Sequence, residues 1–364
     1  MRILGTRGVP AAHGGFETFA EKLSLYLVAK GWRVTVYCQF PGTGAVVNDQ
    51  WRSVDRVCIP VNGDGPLSSV VFDARSIAHA SRDRDLCLTL GYNTAIFCSL
   101  LRLKRVPNII NMDGIEWSRA KWGLVERSWF WMNDWLGCWL GNHLVADHPE
   151  IMRHLSSRVS DEKITTIPYG AEWIDDISEE PVVSFGLVPG QYLTLIARPE
   201  PENSILEIVT GFSARHRGYT LVVLGRYSDL DPYHRIVKAA AGPEVLFLGA
   251  IYDKFVVSSL RFHCAAYVHG HQVGGTNPSL VEAIAAGNPV LAHDNCYNRW
   301  VAGGAALYFQ DSVSFGTLVD KLMGSVLCQN ELREVGRKRH AEEFVWESVL
   351  ERYEQLLLCF MPEK

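Results

Sequence analysis

The chain has 364 residues, 48% hydrophobic and 21% charged, the make-up of a folded globular protein rather than a disordered one. That length exceeds a typical single core, so two domains of roughly 150–200 residues are expected. A net charge of −5 argues against a nucleic-acid partner. The nine cysteines form no C-x-x-C pair and read as buried free thiols of a reducing compartment.

Ile3 and Leu4 open the chain as a short strand that runs into the loop GTRGVPAAHGG. Phe19, Leu23, Tyr26 and Leu27 recur at helical spacing, which predicts a helix over 16–30 ended by Gly31. WRVTVYC (32–38) predicts a strand, so the opening is the strand–glycine loop–helix–strand unit of a doubly wound sheet. Strands at 85–91 and 106–114 enclose a helical stretch at 94–103, and a tryptophan-rich helix follows. A strand running into a helix at 143–155 and a strand at 163–170 close the first half. Residues 171–190, with Pro181, Gly186, Pro189 and Gly190, lack periodicity and mark a linker. Strands at 192–198, 219–225, 245–249, 264–270 and 289–294 then alternate with helices, one of them over 277–287. The end, Glu331 to Met361, reads as helix. This rhythm predicts an α/β protein with two Rossmann-like parallel-sheet domains, 1–175 and 176–345. Parallel sheets bind ligands at the carboxyl ends of their strands, so two such domains are expected to face a central cleft. The opening shows no leader pattern and no stretch reaches ~18 apolar residues, so the protein is expected in the cytoplasm.

Four motifs fall at strand ends. Gly5 and Gly8 precede Gly14 and Gly15, which open a helix with Glu17, and Arg7 adds a cation. Glycines let a backbone approach a ligand and a helix start offers free amides to an anion; the alternative is a tight turn whose Glu17 complements the helix dipole. The spacing is not G-x-G-x-x-G and no acid closes the second strand, which counts against a dinucleotide oxidoreductase. Asp113 and Glu116, in NMDGIEW, end an apolar strand; their carboxylates suit sugar hydroxyls or a developing positive charge, and the alternative is a solvated turn. Arg198 ends the first strand of the second half beside a helix start, a fitting place for a diphosphate unless it pairs with Glu200 or Glu202. The run from His269 through His271, Gly274, Gly275, Thr276 and Asn277 to Glu282 follows a strand and enters a helix. Its glycines and helix amides suit phosphate, and Glu282 suits ribose hydroxyls. His269 and His271 lack a third ligand at metal spacing.

Together, GTRGVPAAHGGFETFAEKLSLYLVAKGWRVTVYC, NMDGIEW, ARPEPEN and VGGTNPSLVEA resemble the retaining GT-B glycosyltransferases of family four, especially a bacterial rhamnosyltransferase-like subgroup. The resemblance spans nearly the whole chain. It implies that Gly14, Gly15 and Glu17 border the acceptor and the donor phosphate, with Arg7 and Glu116 also on the acceptor side. Asp113 falls where a histidine often lies near the donor sugar, Arg198 matches the diphosphate-binding arginine, and Glu282 matches the second glutamate of E-x7-E, which holds the ribose. The first glutamate falls on Gly274, and the lysine that partners the arginine falls on or near Asn203. These departures suit a deoxysugar donor such as dTDP-rhamnose. The resemblance also implies a metal-independent enzyme of cell-surface polysaccharide synthesis with no cofactor besides its nucleotide-sugar donor, a saccharide or lipid-linked acceptor, and a final helix, 346–364, crossing back to the first domain. A nucleotide-sugar epimerase and a non-catalytic subunit of a polysaccharide-assembly complex are the rival readings.

Six of the eleven tryptophans are Trp117, Trp122, Trp129, Trp131, Trp135 and Trp139. Trp131, Trp135 and Trp139 share one helical face, either a core stripe or a peripheral membrane contact.

Overall fold

A computed structural model describes all residues except His13, Asp64 and 362–364. His13 of the glycine loop and the last three residues of the expected terminal helix therefore lie outside the described residues. The chain forms two compact units, Met1–Pro168 with Glu347–Lys364, and Tyr169–Trp346.

Unit 1 runs β1 (Arg2–Leu4), α1 (Gly15–Ala29), β2 (Thr35–Pro41), β3 (Val47–Trp51), β4 (Val54–Val61), α2 (Pro66–Ala80), β5 (Cys87–Leu90), α3 (Cys98–Leu103), β6 (Asn108–Asn111), α4 (Leu124–Leu140), β7 (His143–Ala146), α5 (Pro149–Ser156) and β8 (Ile164–Thr166). Its sheet order is β3-β4-β2-β1-β5-β6-β7-β8. Strands β5, β6 and β7 are buried along their whole length, as a parallel sheet covered on both faces requires. The expected all-parallel sheet is corrected at one edge, where β3 pairs antiparallel with β4. Arg52 and Ser53 join them with φ of 46° and 66°, the left-handed backbone of a two-residue hairpin turn.

Unit 2 runs α6 (Glu180–Ser184), β9 (Tyr192–Ile196), α7 (Ile205–Ser213), β10 (Thr220–Leu224), α8 (Pro232–Ala239), β11 (Val245–Gly249), α9 (Lys254–Phe262), β12 (Ala266–His269), α10 (Pro278–Ala285), β13 (Val290–His293), α11 (Cys296–Ala302), β14 (Ala306–Phe309), α12 (Ser312–Met323) and α13 (Val326–Glu343). Its six strands are all parallel, ordered β11-β10-β9-β12-β13-β14. The core between this sheet, α7 and α12 centres on Leu195, Ile208, Phe212, Phe309 and Phe315.

The first boundary falls at Pro168 rather than 175. Ala171 bridges to Val345, its carbonyl meets His340 Nε2 at 2.9 Å, and a Cβ on Gly170 would stand 2.8 Å from the Trp346 ring, so the strand exit is bound into unit 2. The terminal helix is also two helices, because Val345 leaves helical geometry to make that bridge; α14 (Trp346–Leu358) follows. From Glu347 on, the chain belongs to unit 1. Tyr353 is 2% exposed there, its ring lies 4.6 Å from that of Phe19, and its hydroxyl accepts Asn111 Nδ2 at 2.9 Å. Tyr26 and Trp32 both donate to Glu354.

Cys38, Cys58, Cys87, Cys98, Cys138 and Cys264 are buried free thiols, while Cys296 and Cys359 are exposed. Among the described residues, no helix is long and apolar enough to cross a membrane.

Candidate functional site

Each sheet has one topological switch point, where successive strands depart to opposite sides; crevices for ligands open at the carboxyl ends there. In unit 1 it lies between β1 and β5, and in unit 2 between β9 and β12. The glycine loop, the Arg198 turn and the run from His269 follow these strands, while Asp113 and Glu116 follow β6.

In unit 1 the glycine loop leaves β1 pressed against its neighbours. A Cβ on Gly5, whose φ is 75°, would sit 2.1 Å from the Leu90 carbonyl oxygen at the end of β5. One on Gly8 would sit 2.8 Å from Cys38 Sγ. Ala11 N–H is held by Glu21 at 2.6 Å. Gly14 is the N-cap of α1, and the Glu17 carboxylate folds back to within 3.0 Å of where a Gly14 Cβ would be. Gly15 opens the helix. Arg7, exposed, and the buried Glu17 line a cavity of about 300 Å³ together with Gln39, Phe40 and Arg56. Gln39 Oε1 is buried there without a hydrogen-bond partner.

The second strand-end motif splits. Asp113 is half-buried in left-handed backbone, φ 52°, a conformation aspartate tolerates; its N–H donates to Asn111 Oδ1 at 3.0 Å. Glu116 is engaged instead: Arg119 reaches its carboxylate at 2.6 Å and Trp122 Nε1 at 3.0 Å, while its N–H donates to the Tyr92 hydroxyl. Its charge holds the turn before α4.

In unit 2 the loops after β9 and β12 are stitched together. Ser204, at φ 49°, donates to the Gly270 carbonyl at 2.8 Å, and Gln272 Nε2 donates to Ser204 Oγ at 2.9 Å. Gln272 N–H meets the Glu202 carbonyl at 2.9 Å. A Cβ on Gly270 would stand 2.1 Å from the Asn203 carbonyl oxygen, so only glycine permits this approach. Asn203 is buried and its Nδ2 donates to the Arg198 carbonyl at 2.8 Å, which shapes the arginine's own turn. The Arg198 side chain is exposed and forms no ion pair among the described residues, so the expected alternative of a pair with Glu200 or Glu202 is not what the structure holds.

Further along the second loop, Gly274 has φ 141° with open space where a Cβ would point, Gly275 follows, and Thr276 is buried. Asn277 caps α10, accepting Ser279 N–H at 3.1 Å, and Pro278 occupies the first helical turn. The result is a glycine-bearing loop that enters a helix start, an arrangement suited to an anion.

Two residues escaped sequence reasoning, Arg261 and Tyr267. Arg261, at the end of α9 and 4% exposed, binds Glu282 Oε2 at 2.9 Å and lies 5.7 Å from the Tyr267 ring. Tyr267 and Ser279 share a 2.5 Å hydroxyl contact beneath it. A lone arginine in the apolar run SSLRFHCAAYV was the available signal. His269 is fully buried with neither ring nitrogen hydrogen-bonded, stacked 4.4 Å from His271. Burial, reinforced by His271 and His293, holds its imidazole well below the ordinary value and therefore neutral. The backbone of His271 is fixed by Asn295 and Asn298, both donating to its carbonyl. Among the described residues, no group of three or more His, Cys, Asp or Glu is placed to hold a metal ion.

The architecture is the two-unit α/β arrangement of GT-B glycosyltransferases. Sucrose-phosphate synthase from Thermosynechococcus elongatus has a TM-score of 0.79 and 16% identity, over 98% of this chain and 97% of that one. Anabaena HepE, solved with UDP and glucose, has a TM-score of 0.76 and 13% identity, over 99% of this chain and 100% of that one. An E. coli trehalose-6-phosphate protein bound to UDP-2-fluoro glucose gives 0.75 and 10%, over 100% of both chains. Residues 1–172 match the model of a domain of unknown function, DUF1972. No curated protein sequence matches the chain.

Proposed function

We propose that the protein is a retaining glycosyltransferase that moves a sugar from a nucleotide-sugar to a saccharide or lipid-linked saccharide acceptor in cytoplasmic polysaccharide assembly. The observation that carries this reading is the stitched pair of loops in unit 2: the loop after β9, which bears the unpaired Arg198, is hydrogen-bonded to the loop that leads through Gly274 into α10. The relatives solved with UDP and glucose or UDP-2-fluoro glucose support it.

On this reading Arg198 and the amides over 274–277 take the diphosphate, and Glu282 takes the ribose through the carboxylate oxygen that Arg261 leaves open. The bond from the anomeric carbon to the phosphate oxygen breaks, and an acceptor hydroxyl bonds to that carbon on the same face. The leaving phosphate oxygen takes the hydroxyl proton, so no metal is needed. Fixed amide dipoles and one guanidinium stabilise the charge that develops on the diphosphate. Asp113 offers a carboxylate to the anomeric carbon as it turns positive. His271 borders the donor sugar, whose polar partners are reduced by Gly274, which fits a deoxysugar such as rhamnose from dTDP-rhamnose. The cavity of Arg7, Glu17 and Gln39 receives the acceptor.

A thermal-shift panel of nucleotide-sugars tests this, since a ligand of the folded state raises Tm. The reading expects dTDP- or UDP-sugars to raise it in the wild type and not in Arg198→Ala; no shift with any of them rejects it. Gly274, in place of an acid, favours one second reading, a non-catalytic nucleotide-binding subunit. Donor binding without transfer to any saccharide acceptor would select it.

A further inference from the structure

The amino-terminal edge of the unit 1 sheet, opposite its candidate loops, carries a separate feature. Residues 81–84 and 103–106, on the way into β5 and β6, line an open concavity of about 580 Å³. Arg82, Arg84, Lys104 and Arg105 are exposed on it, and Arg102 is exposed beside it. Two carboxylates interleave with these cations, Asp83 and Asp85, but the buried Arg2 pairs with both, reaching Asp85 at 2.9 Å. Arg82, Arg84, Arg102 and Arg105 have no ion pair among the described residues, and Lys104 donates to the Ser81 hydroxyl. The crowding extends along the edge. Lys163, entering β8, donates to the Cys138 carbonyl at 2.7 Å; burial and then Arg102 hold its amine below the ordinary lysine range. A chain of net charge −5 thus concentrates uncompensated positive charge on one rim.

An exposed leucine stands among these cations. Leu103 is 81% exposed, and Arg105, two residues later at φ 58°, turns the chain back.

We propose that this rim docks the protein on an anionic phospholipid surface. The cations meet headgroup phosphates, and Leu103 enters the boundary between headgroups and acyl chains. Charge complementarity selects an anionic partner, and the leucine selects a bilayer: a nucleic acid would use the arginines and leave Leu103 in water. No residue of the proposed sugar-transfer site takes part, so either reading can fail alone.

The test is co-sedimentation of the full chain with phosphatidylcholine vesicles and with equimolar phosphatidylcholine–phosphatidylglycerol vesicles, at low and high salt. The wild type sediments with the anionic vesicles alone and is released by salt. The triple variant Arg82→Ala, Arg84→Ala, Lys104→Ala partitions roughly a hundredfold more weakly. Leu103→Ser weakens binding less and keeps the salt sensitivity. Equal binding to neutral vesicles, no binding to either, retention on a DNA duplex without vesicle binding, or wild-type partition of the triple variant overturns the proposal. Were the triple variant not to fold, the lipid and salt comparison on the wild type still decides.

Discussion

Arg261 grips Glu282 at 2.9 Å across the floor of α10, and the two differ sharply in exposure, 4% against 39%. That asymmetry decides what each loss does. Glu282 deprived of Arg261 can hydrate, whereas Arg261 deprived of Glu282 remains a buried cation. Glu282→Gln should therefore destabilise unit 2 by about 2–3 kcal/mol, while the volume-matched Arg261→Met costs less than about 1 kcal/mol. The double variant should recover most of the loss. Urea unfolding of the four proteins measures it, and equal losses for the two single changes would show that the pair does not work this way.

The glycines of the two loops differ in what they protect. Gly5→Ala drives a methyl into the Leu90 carbonyl oxygen and should cost unit 1 about 3 kcal/mol or more. Gly274→Ala meets open space and costs only its backbone conformation, about 1–2 kcal/mol. Its effect should appear in donor affinity. Thermal melts with and without nucleotide-sugar separate the two.

His269 sets a pH limit on unit 2. Its pKa is lower in the fold than in the unfolded chain, where it is about 6.5. The unfolded chain thus binds the proton first. The stability tied to the neutral imidazole is fully present above about 6.5 and is lost progressively as pH falls from there toward the folded value. His293 and His340, both lowered by burial, add to the same slope. Tm should fall between about pH 7 and pH 5, and His269→Phe should flatten the curve over that window. An unchanged slope in that variant would assign the acid sensitivity elsewhere.

Tyr353 ties α14 into unit 1. Tyr353→Phe leaves Asn111 Nδ2 buried without its acceptor and should cost about 1–2 kcal/mol. Tyr353→Ala adds a cavity beside Phe19 and should cost about 3–5 kcal/mol. Ending the chain at Trp346 should leave unit 1 unable to melt cooperatively, which calorimetry would register.

The sequence announces the parts of this fold that rest on local chemistry. The glycine loop after β1 and the run from His269 to Glu282 are legible because a parallel sheet needs glycine and a helix start at its switch points, and both patterns are contiguous. The β3–β4 hairpin is not legible: VNDQW is exposed at four of five positions and carries no apolar alternation. The break at Val345 is hidden because its cause, the bridge to Ala171, lies far away in sequence. Arg261 is hidden for the same reason, since its partner sits one helix and one strand later. The tryptophan stripe is recovered as stacked pairs, Trp131–Trp135 at 6.2 Å and Trp135–Trp139 at 5.4 Å. Its outer members are half-exposed, which periodicity alone does not distinguish from a core.

Hydrogen exchange over residues 270–282, with and without a nucleoside diphosphate, tests the central claim most directly. Binding should slow the amides of 274–277 in the wild type, and Arg198→Ala, losing a charge-assisted contact of roughly 1.5–3 kcal/mol, should need at least tenfold more ligand for the same protection. Protection confined to other loops, or unchanged in Arg198→Ala, would contradict the account.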